Sequence, residues 1–396
     1  MLLSFKLLAA SASLLSLSQA SPQGGFFSQS SAVAVASSTA KVSASTVSEA
    51  AAATGTTACN NSPELCNRNY NNITHMGAHD SAFLRDSTTG YTEAGNQYYN
   101  ATVALSAGIR LLQAQVHLDN GVLELCHTSC ALLDGGSLAT FLSAIKTWMD
   151  ANPNEVVTLL LVNSDDQTAA TFGSVFNSTG ISTYGYTPSS TSGPVATWPT
   201  LQTLITANTR LITFIASITY DSSYPSLLPE FDFVFETAYG QTFPDFNCTL
   251  DRPSGLSSST AAISSGYMGL VNHFADTNTL ISTPDITNLP TTNSPATNTT
   301  GSLGTEGQQC TSEWGQKPTF ILVDYFNVGP TIETADNLNG ITAVGRTSVS
   351  TAELTESSSG AGIGREVSWT AVLAMGFVVL ANIRWSFDGH FTWLGK

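Results

Sequence analysis

The sequence predicts an α/β domain built around a parallel β-sheet. Short apolar runs alternate along the chain with helix-like stretches, the pattern of strands joined by crossover helices. Several runs, Val156-Val157-Thr158-Leu159-Leu160-Leu161-Val162 above all, are apolar almost throughout, as strands covered on both faces are. A closed barrel satisfies both observations, and a doubly wound sheet is the alternative on pattern alone.

Met1–Lys6 carries one positive charge, Leu7–Leu17 is mostly apolar, and Ser18-Gln19-Ala20 offers small residues for cleavage. Residues 1–20 therefore read as a secretory signal peptide. Residues 21–58 are rich in Ser, Ala and Thr, with almost nothing bulky after Phe27. Such a segment cannot bury a core and reads as a disordered leader. The ordered domain is expected over residues 59–340. Its strand-like runs are Ile73–Ala78, Ile109–His117, Val122–Cys126, Val156–Val162, Leu211–Ala216, Phe231–Phe235 and Thr319–Tyr325. Its helix-like stretches are Gln97–Ala107, Ser137–Ala151, Leu201–Asn208 and Pro330–Asn337. Ser137 is an N-cap and Asn152-Pro153 a stop signal; Gly135-Gly136 reads as a turn before that helix. Residues 341–366 return to Ser, Thr, Gly and Ala and read as a linker. Residues 367–396 open on the apolar run Val367–Ile383. Small residues, a short spacer and a hydrophobic segment are the layout of a GPI-anchor signal, although the polar, aromatic end Arg384–Lys396 departs from it. A single transmembrane helix is the alternative.

Lysine and arginine number 13 against 29 acidic residues, a formal net charge of −16. This disfavours nucleic acid as a partner and strong electrostatic attraction to an anionic membrane. A monomer is expected. In an exported chain the six cysteines are candidates for disulfides, and proximity suggests Cys59–Cys66, Cys126–Cys130 and Cys248–Cys310. No CxxC pair occurs, so a zinc module is not expected. Sequons begin at Asn60, Asn72, Asn100, Asn177, Asn247 and Asn298, and predict glycans on surface loops. Secretion or display at the cell surface follows.

Two strand-like runs end in histidine, at His79 and at His127. A histidine exchanges its proton near neutrality, so the pair suits a reaction that removes one proton and returns another. In the run Ile109–His117 alternate side chains share a face. Leu111, Gln113, Gln115 and His117 point one way, and a buried face would demand hydrogen-bond partners for the polar three. There is no G-x-S-x-G nucleophile elbow and no phosphate-cradling glycine loop. The carboxylates Asp80, Asp119 and Glu124 match no metal-site spacing, so no metal is assigned.

The segments Gly77-Ala78-His79-Asp80-Ser81, Gly108-Ile109-Arg110-Leu111-Leu112, Leu125-Cys126-His127 and Phe320-Ile321-Leu322-Val323-Asp324-Tyr325 resemble the X region of phosphatidylinositol-specific phospholipase C. The likeness is greatest to the secreted fungal branch of PLC-like phosphodiesterases. The segment around Asn163 and the run Phe233-Val234-Phe235-Glu236-Thr237 fit as well. The resemblance implies a TIM-like (β/α) barrel with its site at the C-terminal ends of the strands. It implies His79 as general base, His127 as general acid, and Asp80 and Asp324 as the carboxylates that orient and charge-stabilise them. Glu236 and Tyr239 fall where relatives contact the sugar ring of an inositol-type substrate, whose neighbouring hydroxyl attacks to give a cyclic phosphate.

The sequence also departs from the family. Bacterial relatives place an aspartate and an arginine on the strand equivalent to Ile109–His117, and animal relatives place acidic calcium ligands there. This chain has Gln113 and Gln115. Neutral glutamines bind calcium poorly, so calcium is disfavoured and no cofactor is expected. As neutral donors they are weaker than a bidentate arginine; a protonated His117 on the same face is the substitute considered for phosphate. Two functions therefore follow. One is an extracellular phosphodiesterase acting on a phospholipid or inositol-containing phosphodiester, tethered to the membrane through its C-terminus. The other is a catalytically altered barrel that binds a glycan or inositol-like ligand.

Overall fold

The computed structural model of the chain describes residues 58–277 and 282–355. The expected signal peptide, nearly all of the leader and the hydrophobic tail lie outside the described residues. Among the described residues, no helix is long and apolar enough to cross a membrane.

The strands are β1 (His75–Ala78), β2 (Leu111–Asp119), β3 (Val122–Cys126), β4 (Asp134–Ser137), β5 (Val157–Asn163), β6 (Leu211–Ala216), β7 (Leu227–Pro229), β8 (Val234–Thr237), β9 (Leu250–Arg252), β10 (Met268–Asn272) and β11 (Phe320–Val323). Eight of them form a parallel circuit in chain order, β1-β2-β5-β6-β7-β8-β10-β11, and β11 returns to pair with β1, His75 opposite Phe320. Neighbours on the circuit are hydrogen-bonded at every step but β7 to β8, where the single 3-10 turn Glu230–Asp232 spans the seam. The fold is a TIM-like α/β barrel with one open seam. β3 and β4 prolong β2 as an antiparallel hairpin, and β9 pairs antiparallel with β8.

The helices are α1 (Ala101–Ala107), α2 (Leu138–Ala151), α3 (Ala169–Ser178), α4 (Leu201–Thr206), α5 (Ser259–Ser264), α6 (Leu289–Thr292), α7 (Leu303–Trp314) and α8 (Thr331–Asn339). Ser137 caps α2, its Oγ accepting the Thr140 amide at 3.2 Å. Leu138, Phe141, Leu142, Ile145, Trp148 and Met149, at helical spacing, are the buried face of α2.

The alternation of each strand divides the core in two. Leu112, Leu159, Leu161, Ile215, Val271 and Ile321 pack outward in the cluster that holds the α2 face. Leu111, Leu160, Phe214, Leu270, Phe320 and Leu322 pack in a second cluster inside the barrel. There the rings of Phe214 and Phe320, on strands four apart around the circuit, lie 6.2 Å from each other.

The disulfides are Cys59–Cys66, Cys126–Cys130 and Cys248–Cys310, the pairing that proximity suggested. Several expectations need correction. The strand placed at Phe231–Phe235 begins only at Val234, because Glu230–Asp232 turns across the seam. Gly135 and Gly136 lie within β4 rather than in a turn. β4, β7, β9, β10, α3, α5, α6 and α7 were not anticipated. Residues 341–355, read as linker, have no helix or strand but lie along the barrel. There Arg346 pairs with Asp336, and the amides of Val344 and Thr347 donate to the carbonyls of Asn61 and Ser106. Asn60 does not suit a glycan. It is 4% exposed, and its amide side chain is spent on both backbone groups of Val156, at 2.7 and 3.2 Å. Asn72, Asn177 and Asn298 are exposed; Asn100 and Asn247 are half-buried.

Candidate active site

The site forms where β1, β2 and β11 end. β1 carries Gly77 on its inner face, where a Cβ would lie 2.8 Å from the side chains of both Leu111 and Leu322. Only glycine lets the neighbouring strands close up there. Beyond β1, His79 still donates its amide to Val323 of β11 at 2.9 Å, and the chain then turns at Asp80, whose φ is +44°. β11 ends in the same way, with Asp324 followed by Tyr325 at φ +44°. Gln97 joins the two ends: its Nε2 donates to the carbonyls of His79 (2.7 Å) and Val323 (3.1 Å), and its Oε1 accepts the Phe326 amide at 3.1 Å.

These turns bring His79, Asp80 and Asp324 together. His79 Nδ1 lies 2.8 Å from Asp324 Oδ1, which also accepts Asn96 Nδ2 at 3.1 Å. Phe274, just past β10, is stacked on the His79 ring at 3.7 Å and 6°. Asp80 is fully buried, and its Oδ2 is the meeting point of the cluster. His79 Nε2 is 3.5 Å from it, His127 Nε2 3.3 Å and Gln115 Nε2 3.0 Å. The two imidazole Nε2 atoms are thus no farther apart than those two contacts laid end to end, and one carboxylate oxygen serves both rings.

Charge follows from this geometry. Burial opposes a charged His79, but the Asp80 and Asp324 carboxylates outweigh it and raise the imidazole to about 9. Burial likewise opposes ionised Asp80; the His79 charge and the His127 contact prevail and hold it below the usual carboxylate range. Asp324 is pushed up by burial, only partly offset by His79. Asp276 is raised by burial and by the charge of Asp324. At neutral pH the centre is an imidazolium beside a carboxylate.

The glutamines of β2 face inward as strand parity requires, but both are engaged by the protein. Gln113 Oε1 accepts the Asp80 amide at 2.6 Å, and Gln115 Oε1 accepts the Thr128 amide at 3.0 Å. With those oxygens committed to backbone N–H groups, the pair does not fit a calcium ion. His117 is on the same face but in the hairpin beyond the barrel, where its Nδ1 is 3.3 Å from Asp165. The structure does not bring it to the histidine pair. Glu236 is buried in β8 and forms an ion pair with Arg252; Asn272 Nδ2 approaches the same carboxylate oxygen at 3.3 Å. Burial and the adjacent Glu236 charge hold the Glu230 carboxyl well above its usual range. Tyr239 is 58% exposed, with the Arg252 guanidinium 4.5 Å from its ring centre. Sequence reasoning missed Asn96, Gln97, Arg252, Glu230, Asn272 and Phe274. Of these only Arg252 carried a signal, as one of 13 basic residues in an acidic chain.

A family model, PI-PLC X 1, matches residues 65–339. The chain belongs to the PI-PLC X family. Two curated relatives from Arthroderma benhamiae align with it. PI-PLC X domain-containing protein 1 is 39% identical over 287 residues, 72% of this chain and 90% of that protein. An uncharacterized secreted protein is 35% identical over 300 residues, 74% of this chain and 66% of that one. Among solved structures, the phosphatidylinositol-specific phospholipase C of Listeria monocytogenes is 17% identical, covering 69% of this chain and 95% of its own, with a TM-score of 0.46. Within this PI-PLC X domain the matched span holds the whole histidine–carboxylate cluster, from His79 to Asp324.

Proposed function

We propose that the protein is an extracellular phosphodiesterase that cleaves a phospholipid or another inositol-containing phosphodiester by two-histidine acid–base chemistry. The observation that supports it is Asp80 Oδ2, approached by the Nε2 atoms of both His79 and His127. His79, backed by Asp324, removes the proton of a hydroxyl adjacent to the phosphate; that oxygen attacks phosphorus and forms a cyclic phosphate. His127, oriented by Asp80, protonates the departing oxygen. Each proton transfer of this kind contributes about 10²–10⁴ in rate. Glu236 and Arg252 offer an acceptor and a donor to a polyol head group, and Tyr239 an exposed ring beside them. The reading needs no metal and no nucleic acid. Export is supported by the N-terminal sequence and by the relative named as secreted; tethering through the C-terminal tail is part of the same proposal.

A binding role is favoured by one observation: the strand where the resemblance implies an aspartate and an arginine carries neutral Gln113 and Gln115. Turnover separates the two. The secreted protein is assayed on phosphatidylinositol and on a GPI-linked reporter, with and without chelator, beside His79→Ala and His127→Ala. Chelator-insensitive activity that falls at least about 100-fold in both variants is expected. Activity no greater than that of the variants would leave a ligand-binding barrel.

A further inference from the structure

His79 and His127 are held in different ways. His79 is anchored at Nδ1 by Asp324 and stacked on Phe274. Among the described residues His127 makes one polar contact through its ring, Nε2 to Asp80 Oδ2 at 3.3 Å. Its Nδ1 has no hydrogen-bond partner among the described residues, and Phe83 packs against it at 5.2 Å with the rings tilted 49°. The aim of the His127 ring therefore depends on the backbone that carries it. That backbone is not a strand. β3 ends at Cys126, and His127, Thr128 and Ser129 lie inside the small loop closed by the Cys126–Cys130 disulfide. Thr128 sits at φ +61°, with Ser129 N donating to His127 O at 2.6 Å around it. A β-branched residue keeps that conformation only where its surroundings enforce it.

Two devices enforce it. The disulfide fixes the ends of the loop. Gln115 fixes its middle: Oε1 accepts the Thr128 amide at 3.0 Å, while Nε2 donates to Asp80 Oδ2 at 3.0 Å. One side chain thus holds both the loop that bears the histidine and the carboxylate that the histidine addresses. Among side chains long enough to span both, only glutamine offers an acceptor for an N–H and a donor for a carboxylate. Glutamate would oppose Asp80, and lysine or arginine would leave Thr128 unpaired.

We infer that Gln115 and the Cys126–Cys130 disulfide are positioning elements for His127, forming a clamp that aims its proton at the leaving oxygen. The inference rests on the phosphodiesterase reading, and its test is built so that the two fail separately. Gln115→Met and Cys126→Ala/Cys130→Ala are compared with wild type and His127→Ala. The substrates are two phosphodiesters of one head group, with an alkoxide or a p-nitrophenolate leaving group. The nitrophenolate needs no acid. Both clamp variants should lose about 10–100-fold in kcat on the alkyl ester, with KM nearly constant, and keep most of the rate on the nitrophenyl ester. If His127→Ala loses equally on both esters, the acid role of His127 fails. If His127→Ala discriminates between the esters while both clamp variants match wild type, the clamp fails. A second readout needs no substrate: in 15N–1H histidine spectra the His127 nitrogens should move toward free imidazole in both clamp variants, while those of His79 stay in place. His127 signals unchanged in both would overturn the inference whatever the activity, and Gln115→Met guards against a cysteine variant that fails to fold.

Discussion

His79 meets neutral pH already charged. Burial works against the imidazolium, but Asp80 and Asp324 lie close enough to raise the group to about 9. As the proposed base, it must lose its proton before it can accept one. In 15N–1H spectra the His79 ring nitrogens should therefore titrate near pH 9 instead of near an ordinary histidine value of about 6.5. Asp80→Asn removes one of the two carboxylates that raise His79. The His79 titration should then move down by about one unit or more. Histidine spectra of the two proteins across pH check both points, and an unmoved His79 titration would mean that Asp80 does not hold its charge. The chain hinted at only part of this. The histidines and their carboxylates stand in recognisable short segments. That one oxygen of Asp80 serves both rings depends on a left-handed turn at an aspartate, which a sequence does not display.

At the scale of elements, several of the parts that escaped sequence reading gather around β10. The strand is the five-residue run Met268-Gly269-Leu270-Val271-Asn272, too short to show a period. α7 holds Gly304 and Gly307 and few apolar residues, so no amphipathic stripe announces it. It packs because its glycines permit close contact: a Cβ at Gly304 would strike the backbone of Pro295. What replaces apolar burial is polar. His273 Nε2 donates to the Thr292 carbonyl at 2.8 Å, and Nδ1 pairs with buried Glu306 of α7. The pair ties α6 and α7 to the end of β10, where Asn272 meets Glu236 and Phe274 covers His79. Removing one partner of a buried pair leaves the other without compensation, at a cost of about 3–5 kcal/mol. Glu306→Ala should cost that much in urea unfolding, and the double variant His273→Phe/Glu306→Leu distinctly less. Equal losses would mean that the volume of the side chains, not their pairing, holds the helix. The strands β2, β5 and β6, by contrast, were legible as longer apolar runs, and β1 and β11 because their segments carry the family resemblance.

Over the whole molecule, the barrel is larger than its hydrophobic pattern. The apolar signal stops near Gly340, yet the chain runs on across the side of the domain to at least residue 352. Composition could not show this, because the segment binds through backbone groups, one arginine and the scattered apolar side chains of Ile341, Val349 and Leu354. Arg346 grips both oxygens of Asp336 at 2.6 and 2.8 Å, and Asn327 Nδ2 donates to the carbonyl of Ser350 at 2.9 Å. The amides of Val344 and Thr347 reach Asn61 and Ser106 at 2.7 and 2.9 Å. Arg346 also lies over Gly108, the C-cap of α1 at φ +113°, where a Cβ would overlap its side chain. At about 0.5–1.5 kcal/mol for each partly exposed hydrogen bond, ending the chain after Gly340 should lower the unfolding free energy by about 2–4 kcal/mol relative to ending it after residue 355. Gly108→Ala acts through two terms, the strained backbone and the displaced arginine, and only the first survives in the shorter chain. The substitution should therefore cost more in the longer protein than in the shorter one, a non-additivity that denaturant melts of the four proteins measure directly. Equal costs in both would show that Arg346 contributes nothing at that position and that the segment merely lies where the polar surface leads it.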